Sequence, residues 1–290
     1  MRGNKRKPPK RGATGKPVPR RGGADLASVS SPTTAPGVED VPPDELVAQV
    51  TGSLLAGIAH ARTALDAELV LCDMFGTLET GLPDDVDDDE RLAALTLLMS
   101  QLMTHAEALG TADALALLRV CSVLGPSGTQ VAAGEAAGRL AVAGVKDRPW
   151  ADRVGSPAMV SAWRYGDVIG AQSSIGVLFT DRGRDHALMV LIDHQLGGGV
   201  KDCWVATGKN ATRMRATVAS GMAGRPTAFF EHLDAASAAG WLREALASPP
   251  CPEAEDQVAD VAANLYLTSS RTERLARLAG LPPSAPAWPG

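Results

Sequence analysis

Residues 191 to 202 read LIDHQLGGGVKD, a short stretch that collects a carboxylate, an imidazole, three glycines, an amine and a second carboxylate. An acid, an imidazole and another acid beside one loop form a usable acid/base set, which makes Asp193, His194 and Asp202 the candidate catalytic residues. Glycine lets the backbone approach a ligand closely and present its N–H groups, so Gly197, Gly198, Gly199 and Lys201 form the candidate ligand-binding loop. The phosphate-loop pattern GxxxxGK[ST] is absent, as is GxGxxG; the nearby ATGKNAT has Gly208 and Lys209 followed by Asn210 instead of Ser or Thr. The sequence names neither a metal-ligand set nor a cofactor. A structural reading competes with the catalytic one: Asp193 and His194 end a buried strand by satisfying loop amides, and the glycines bend the chain. An Asp-His pair without triad or metal spacing fits that second reading better.

The elements around the stretch decide what it can do. SSIGVLFT and HALMVLIDH alternate as strands and are joined by DRGRD, with Gly183 available for positive φ; KDCWVA is a third strand. Pairing Asp181 with Asp185 across an RGR loop sets Thr180 opposite His186, Leu178 opposite Leu188, Ser173 opposite Asp193 and Gln172 opposite His194. Side chains alternate along a strand, so Asp193 and His194 point to opposite faces. His186 and His194 share a face, but eight residues at about 3.3 Å each separate them by roughly 26 Å, too far to hold one metal.

The expected fold is α+β and predominantly helical: a helical domain over residues 44–145, then a small antiparallel sheet with packed helices over 146–280, including a β-hairpin at 173–194. From Asp44, Leu46, Val50, Leu54 and Ile58 recur at i, i+4 on one helix face capped near Asp44. RLAALTLLMSQLMTHAEAL, TADALALLRVCSVLG and TQVAAGEAAGRLAVAG continue the helical pattern, the last closed by Gly144. Further helices follow at ATRMRATVASGMAG, DAASAAGWLREALA and EAEDQVADVAANLYLTSSRTERLARLAG. His60, His105 and His232 fall on expected helices and read as surface or partly buried residues. The acids of DDVDDDE complement the dipole of the next helix; they lack the sixth-position glycine and twelfth-position acid of a calcium loop.

Charge is segregated. Residues 1–23 hold nine of the 28 basic residues and no acid, leaving 19 basic against 33 acidic groups in the remainder, a net of −14. The acidic body repels phosphate backbones, so nucleic-acid contact falls to the arm, through Lys5, Arg6, Lys7, Lys10, Arg11, Arg20 and Arg21. Residues 1–43 are rich in Arg, Lys, Pro, Gly, Ser and Thr and cannot bury enough apolar surface to offset chain entropy, so disorder is expected there, as in the proline-rich 281–290 end. Cys72, Cys121, Cys203 and Cys251 form no CxxC pair, which points to reduced, mostly buried thiols. No run reaches the roughly 18 apolar residues of a membrane helix, and no apolar segment follows the basic start as in a secretion signal; a soluble cytoplasmic protein without a membrane partner is expected.

Two stretches carry resemblances. DMFGTL (73–78) resembles the first motif of the haloacid dehalogenase superfamily, a strand ending in D-x-D-G-T within a Rossmann-like fold. The resemblance implies Asp73 as nucleophile and Thr77 as an oxyanion-side contact, with Phe75 in place of the second acid. Leu65, Leu69 and Cys72, however, continue a helical face through the motif, which reads as helix interior and a fortuitous match. The helical N-terminal half, the hairpin and the DH-x-LGGG-x-KD segment are together similar to a group of actinobacterial proteins of unknown function, and arginine outnumbers lysine 21 to 7 as in such high-GC coding sequences. That similarity implies no activity. The expected function is therefore a non-catalytic interaction protein that contacts nucleic acid or an acidic partner through its basic arm. The alternative is a hydrolase, with or without a divalent metal, working through Asp193, His194 and Asp202.

Overall fold

Acids ahead of the RLAAL run do what their position at a helix start dictates: Asp87 caps the helix, its carboxylate accepting from the Glu90 N–H at 2.8 Å. In the computed structural model, which describes residues 43–81, 86–252 and 255–283, that helix is the third of five that open the fold. They are α1 (Pro43–His60), α2 (Ala64–Gly81), α3 (Asp88–Leu109), α4 (Ala112–Leu124) and α5 (Ser127–Val142). The basic arm and the 284–290 end, with the disorder expected of them, lie outside the described residues. α1 begins at Pro43, so Asp44 stands inside the first turn and is not the cap; proline is at ease at a helix start, where no N–H is needed. Leu71, Phe75, Met99, Leu102, Leu115 and Leu118 build a closed apolar core among these helices.

The second half is β1 (Ala158–Asp167), β2 (Gln172–Asp181), β3 (Arg184–Asp193), β4 (Gly199–Thr207), α6 (Gly208–Met222), β5 (Ala228–Leu233), α7 (Ala235–Leu246) and α8 (Glu255–Leu278). The strands form one antiparallel sheet in the order β4-β3-β2-β1-β5. The fold is thus α+β and predominantly helical, but the sheet holds two strands that the alternation of the sequence did not announce, β1 and β5. His232 accordingly lies on β5 and not on a helix.

The hairpin register also differs from the expected one. Asp181 pairs with Arg184, not Asp185, so the loop is only Arg182 and Gly183, at φ 49° and 79°. Two residues of positive φ match the right-handed twist of the flanking strands, which a longer loop does not require. Every pair shifts by one: Phe179 stands opposite His186, and Gln172 opposite Asp193.

One face of the sheet, with Ile175, Val177, Phe179, Leu188 and Val190, packs against α7 and α8. The other, with Trp163, Leu178, Ala187 and Met189, is covered by Ala211 and Met214 of α6. Trp163 lies flat over Gly176, where a Cβ would stand 2.2 Å from the indole. α8 serves two layers: Val261, Leu265 and Leu275 join the sheet, whereas Ala263, Tyr266 and Leu267 complete the helical core. Tyr266 stacks on Phe75 of α2 with ring centroids 3.8 Å apart.

Candidate functional site

β3 ends at Asp193, and the turn that follows is organised around its carboxylate. Oδ1 accepts from the Gln195 N–H at 3.1 Å and the Leu196 N–H at 3.2 Å; Oδ2 accepts from the Gln172 amide at 2.8 Å and from Lys201 Nζ at 3.3 Å. The Asp193 side chain is only 6% exposed. The Gln172 amide foremost, with Lys201 and the two N–H groups, holds the carboxyl below its ordinary value against the opposing effect of burial. The loop closes on itself further: the Gly198 N–H donates to the Asp193 carbonyl at 2.9 Å, and the His194 N–H to Ala171 at 3.0 Å. Gly197 and Gly198 sit at φ 98° and 84°, and Gly199 passes so near the Pro249 carbonyl that a Cβ would stand 1.9 Å from it.

His194 belongs to the opposite face. Its Nε2 lies 2.8 Å from the hydroxyl of Ser173, a residue itself 2% exposed. Beside it opens a cleft of about 50 Å³ lined by His194, Gly197, Gly198, Trp241, Glu244 and Ser248. That volume admits a few waters and falls well short of the roughly 300 Å³ at which small-molecule sites begin. Asp202 pairs with Leu191, which puts it on the face of Asp193, and Lys201 occupies the bulge between the Leu191 and Ile192 pairs. The structure therefore joins Asp193 to Lys201 and sends His194 to a separate partner. Of the loop amides, those of Gln195 and Leu196 already donate to the Asp193 carboxylate and that of Gly198 to the Asp193 carbonyl, so what they stabilise is the chain's own turn.

A second polar cluster was not anticipated. Arg271 of α8 and Glu68 of α2 form a buried ion pair, 1% and 0% exposed, with Nη1 3.3 Å from Oε1 and a closer contact between Nη2 and Oε2. The Gly155 N–H donates to Glu68 at 2.7 Å, and Arg271 Nε donates to Nε2 of His186 on β3 at 3.3 Å. Burial foremost, and the adjacent guanidinium second, push the His186 imidazole down to about 3, so it stays neutral and accepts. Glu68 shares the i, i+3, i+4, i+7 row of Leu71, Cys72 and Phe75; a carboxylate on an apolar stripe was the available signal.

DMFGTL lies within α2. Asp73 and Thr77 face solvent, the Thr77 hydroxyl donating to the Asp73 carbonyl at 2.9 Å, and Gly76 is where α8 crosses closely: a Cβ there would stand 2.5 Å from the Ala259 carbonyl. The strand end that a dehalogenase nucleophile needs is not at this position. His60 is exposed, with Nδ1 2.7 Å from the Ala56 carbonyl, and His105 is half-buried on α3. Cys72, Cys121 and Cys203 are buried free thiols and Cys251 is half-buried. Among the described residues no cluster of three or more His, Cys, Asp or Glu could hold a metal, and no helix is long and apolar enough to cross a membrane. No protein-family model, no curated protein and no solved structure matches the chain.

Proposed function

We propose that the protein is a non-catalytic interaction protein whose basic arm engages a polyanion, either nucleic acid or an acidic protein partner. The observation that carries this reading is the nine basic residues and absent acids of residues 1–23, set against a body of net −14. Clustered positive charge binds phosphate chains by releasing counterions, and the arm has no aromatic side chain for base stacking, so the binding is tolerant of sequence and steep in salt. Asp193, held by four donors within the fold, is committed to the turn and supports no general acid or base role. Deleting residues 1–23 should abolish retention on double-stranded DNA and heparin at 50 mM salt while the circular dichroism and melting of the body stay unchanged. Retention that survives the deletion defeats the proposal.

One contact favours hydrolysis as a second reading: the Ser173 hydroxyl 2.8 Å from His194 Nε2, beside a cleft, with Asp193 and Asp202 on the opposite face of the sheet. On that reading His194→Ala abolishes turnover in a panel of carboxyl and phosphate esters, assayed with and without divalent metal, whereas arm deletion leaves turnover intact. An inactive wild type across the panel rejects it.

A further inference from the structure

The two edges of the sheet are built differently. At one edge, β4 carries a bulge at Lys201; the Cys251 N–H donates to the Val200 carbonyl at 2.9 Å, and Pro249 presses on Gly199. A bulge, a lysine and a covering segment are devices that stop an edge strand from recruiting another. At the other edge, β5 carries none of them. AFFEHL contains neither Pro nor Lys, its ladder with β1 runs without a shift from Ala162↔Leu233 to Asp167↔Ala228, and among the described residues no strand pairs with its outer side.

We propose that the outer edge of β5 pairs antiparallel with β5 of a second copy of the chain, continuing the sheet across a two-fold axis at Phe230. The hydrogen-bond phase of the strand selects this register. The Val168 N–H donates to the Thr227 carbonyl at 3.0 Å, one step beyond the β1–β5 ladder and in its register. Bonded and non-bonded pairs alternate in an antiparallel ladder, so residues 229, 231 and 233 bond to β1, whereas Ala228, Phe230 and His232 turn their N–H and C=O groups outward. The Ala228 N–H, turned away to the Arg225 carbonyl at 3.2 Å, agrees with that phase.

Two symmetric registers overlap most of the strand. Centring on Glu231 sets that carboxylate directly against its own copy, a like-charge pair in the closer, non-bonded position. Centring on Phe230 lets Phe230 exchange both backbone bonds with its counterpart and lets the His232 N–H reach the Ala228 carbonyl across the axis. The side chains then agree with the backbone: Phe230 stands beside Phe230, and Glu231 faces Phe229. The Arg164 guanidinium lies over that Phe229 ring at 5.1 Å and over Trp241 at 3.8 Å and already holds Glu231 of its own chain at 3.4 Å, so across the axis the incoming carboxylate joins an existing ion pair and the two pairs form one network. An isologous interface of this kind closes at two copies and leaves no further edge of the same type.

Sedimentation velocity on the full chain, from about 1 µM to several hundred µM, tests the idea together with amide exchange. The expected result is a concentration-dependent dimer, stronger at higher salt because each copy carries a net charge of −5. Exchange at the Phe230 and His232 amides should slow at least tenfold between the dilute and concentrated limits. His232 is exposed and its N–H faces outward, so His232→Pro removes no bond to β1, gives up the edge contact of its ring with Phe230, and should give a folded monomer. A wild type that stays monomeric throughout overturns the proposal, as does a folded His232→Pro protein that still dimerises. Slow exchange at both amides in the dilute monomer also overturns it, since the edge would then be held by the chain itself. The exchange measurement stands without any variant.

Discussion

Asp193 holds the turn after β3 in the way an N-terminal cap holds a helix: one carboxylate answers two successive amides, and a lysine and a glutamine complete it. Asp193→Ala leaves Lys201, itself 14% exposed, without that carboxylate and two turn amides without their acceptor, and should lower the urea midpoint. His186 gives the molecule its pH signature. Its imidazole is held at about 3 in the fold and titrates near 6.5 when unfolded. Below pH 6.5 the unfolded chain takes up a proton that the folded chain refuses, so stability should fall progressively from about pH 6.5 towards pH 3. His186→Gln keeps an acceptor for Arg271 and has no such proton, so its urea midpoint should change much less between pH 7 and pH 4.5 than that of the wild type. At this scale the sequence showed that Asp193 and His194 diverge, because strand alternation alone requires it. It did not show what each would meet, because Gln172 and Ser173 reach them through a register that depends on a turn.

That turn exposes the limit of pattern reading for elements. DRGRD is nearly symmetric, and placing Arg182 at φ 49° runs against the habit of a side chain with a Cβ, so a three-residue loop looked natural. Asn tolerates that conformation better, and Arg182 contributes only a solvent-exposed ion pair at 3.8 Å to Asp152. Arg182→Asn should therefore raise the melting temperature, corresponding to about 0.5 kcal/mol. The helices were legible because their apolar residues recur at three and four along one face. β1 was not, since its two buried residues, Ala162 and Trp163, are adjacent and flanked by exposed and half-buried positions without clean alternation, nor was β5, whose six residues are half-buried or exposed. Gly76 carries the α2–α8 crossing, and a methyl group there meets backbone that cannot rotate away. Gly76→Ala should destabilise by about 1 to 3 kcal/mol, read as a lower denaturation midpoint.

For the whole molecule, the Glu68–Arg271 pair ties the helical layer to the sheet through partners 203 residues apart in the chain. No local pattern could forecast it. Glu68→Gln leaves a buried guanidinium without its counter-charge and should lower unfolding free energy by roughly 3 to 5 kcal/mol, whereas replacing both partners with apolar residues of similar volume should restore much of the loss. The division of labour in α8 reaches beyond equilibrium stability. Phe75 finds its stacking partner only at Tyr266, so on the ribosome the face of α2 that α8 covers must wait, unsheltered, until α8 has emerged. Closure over so long a loop makes for slow maturation, and a nascent chain arrested before α8 is the species a chaperone should hold.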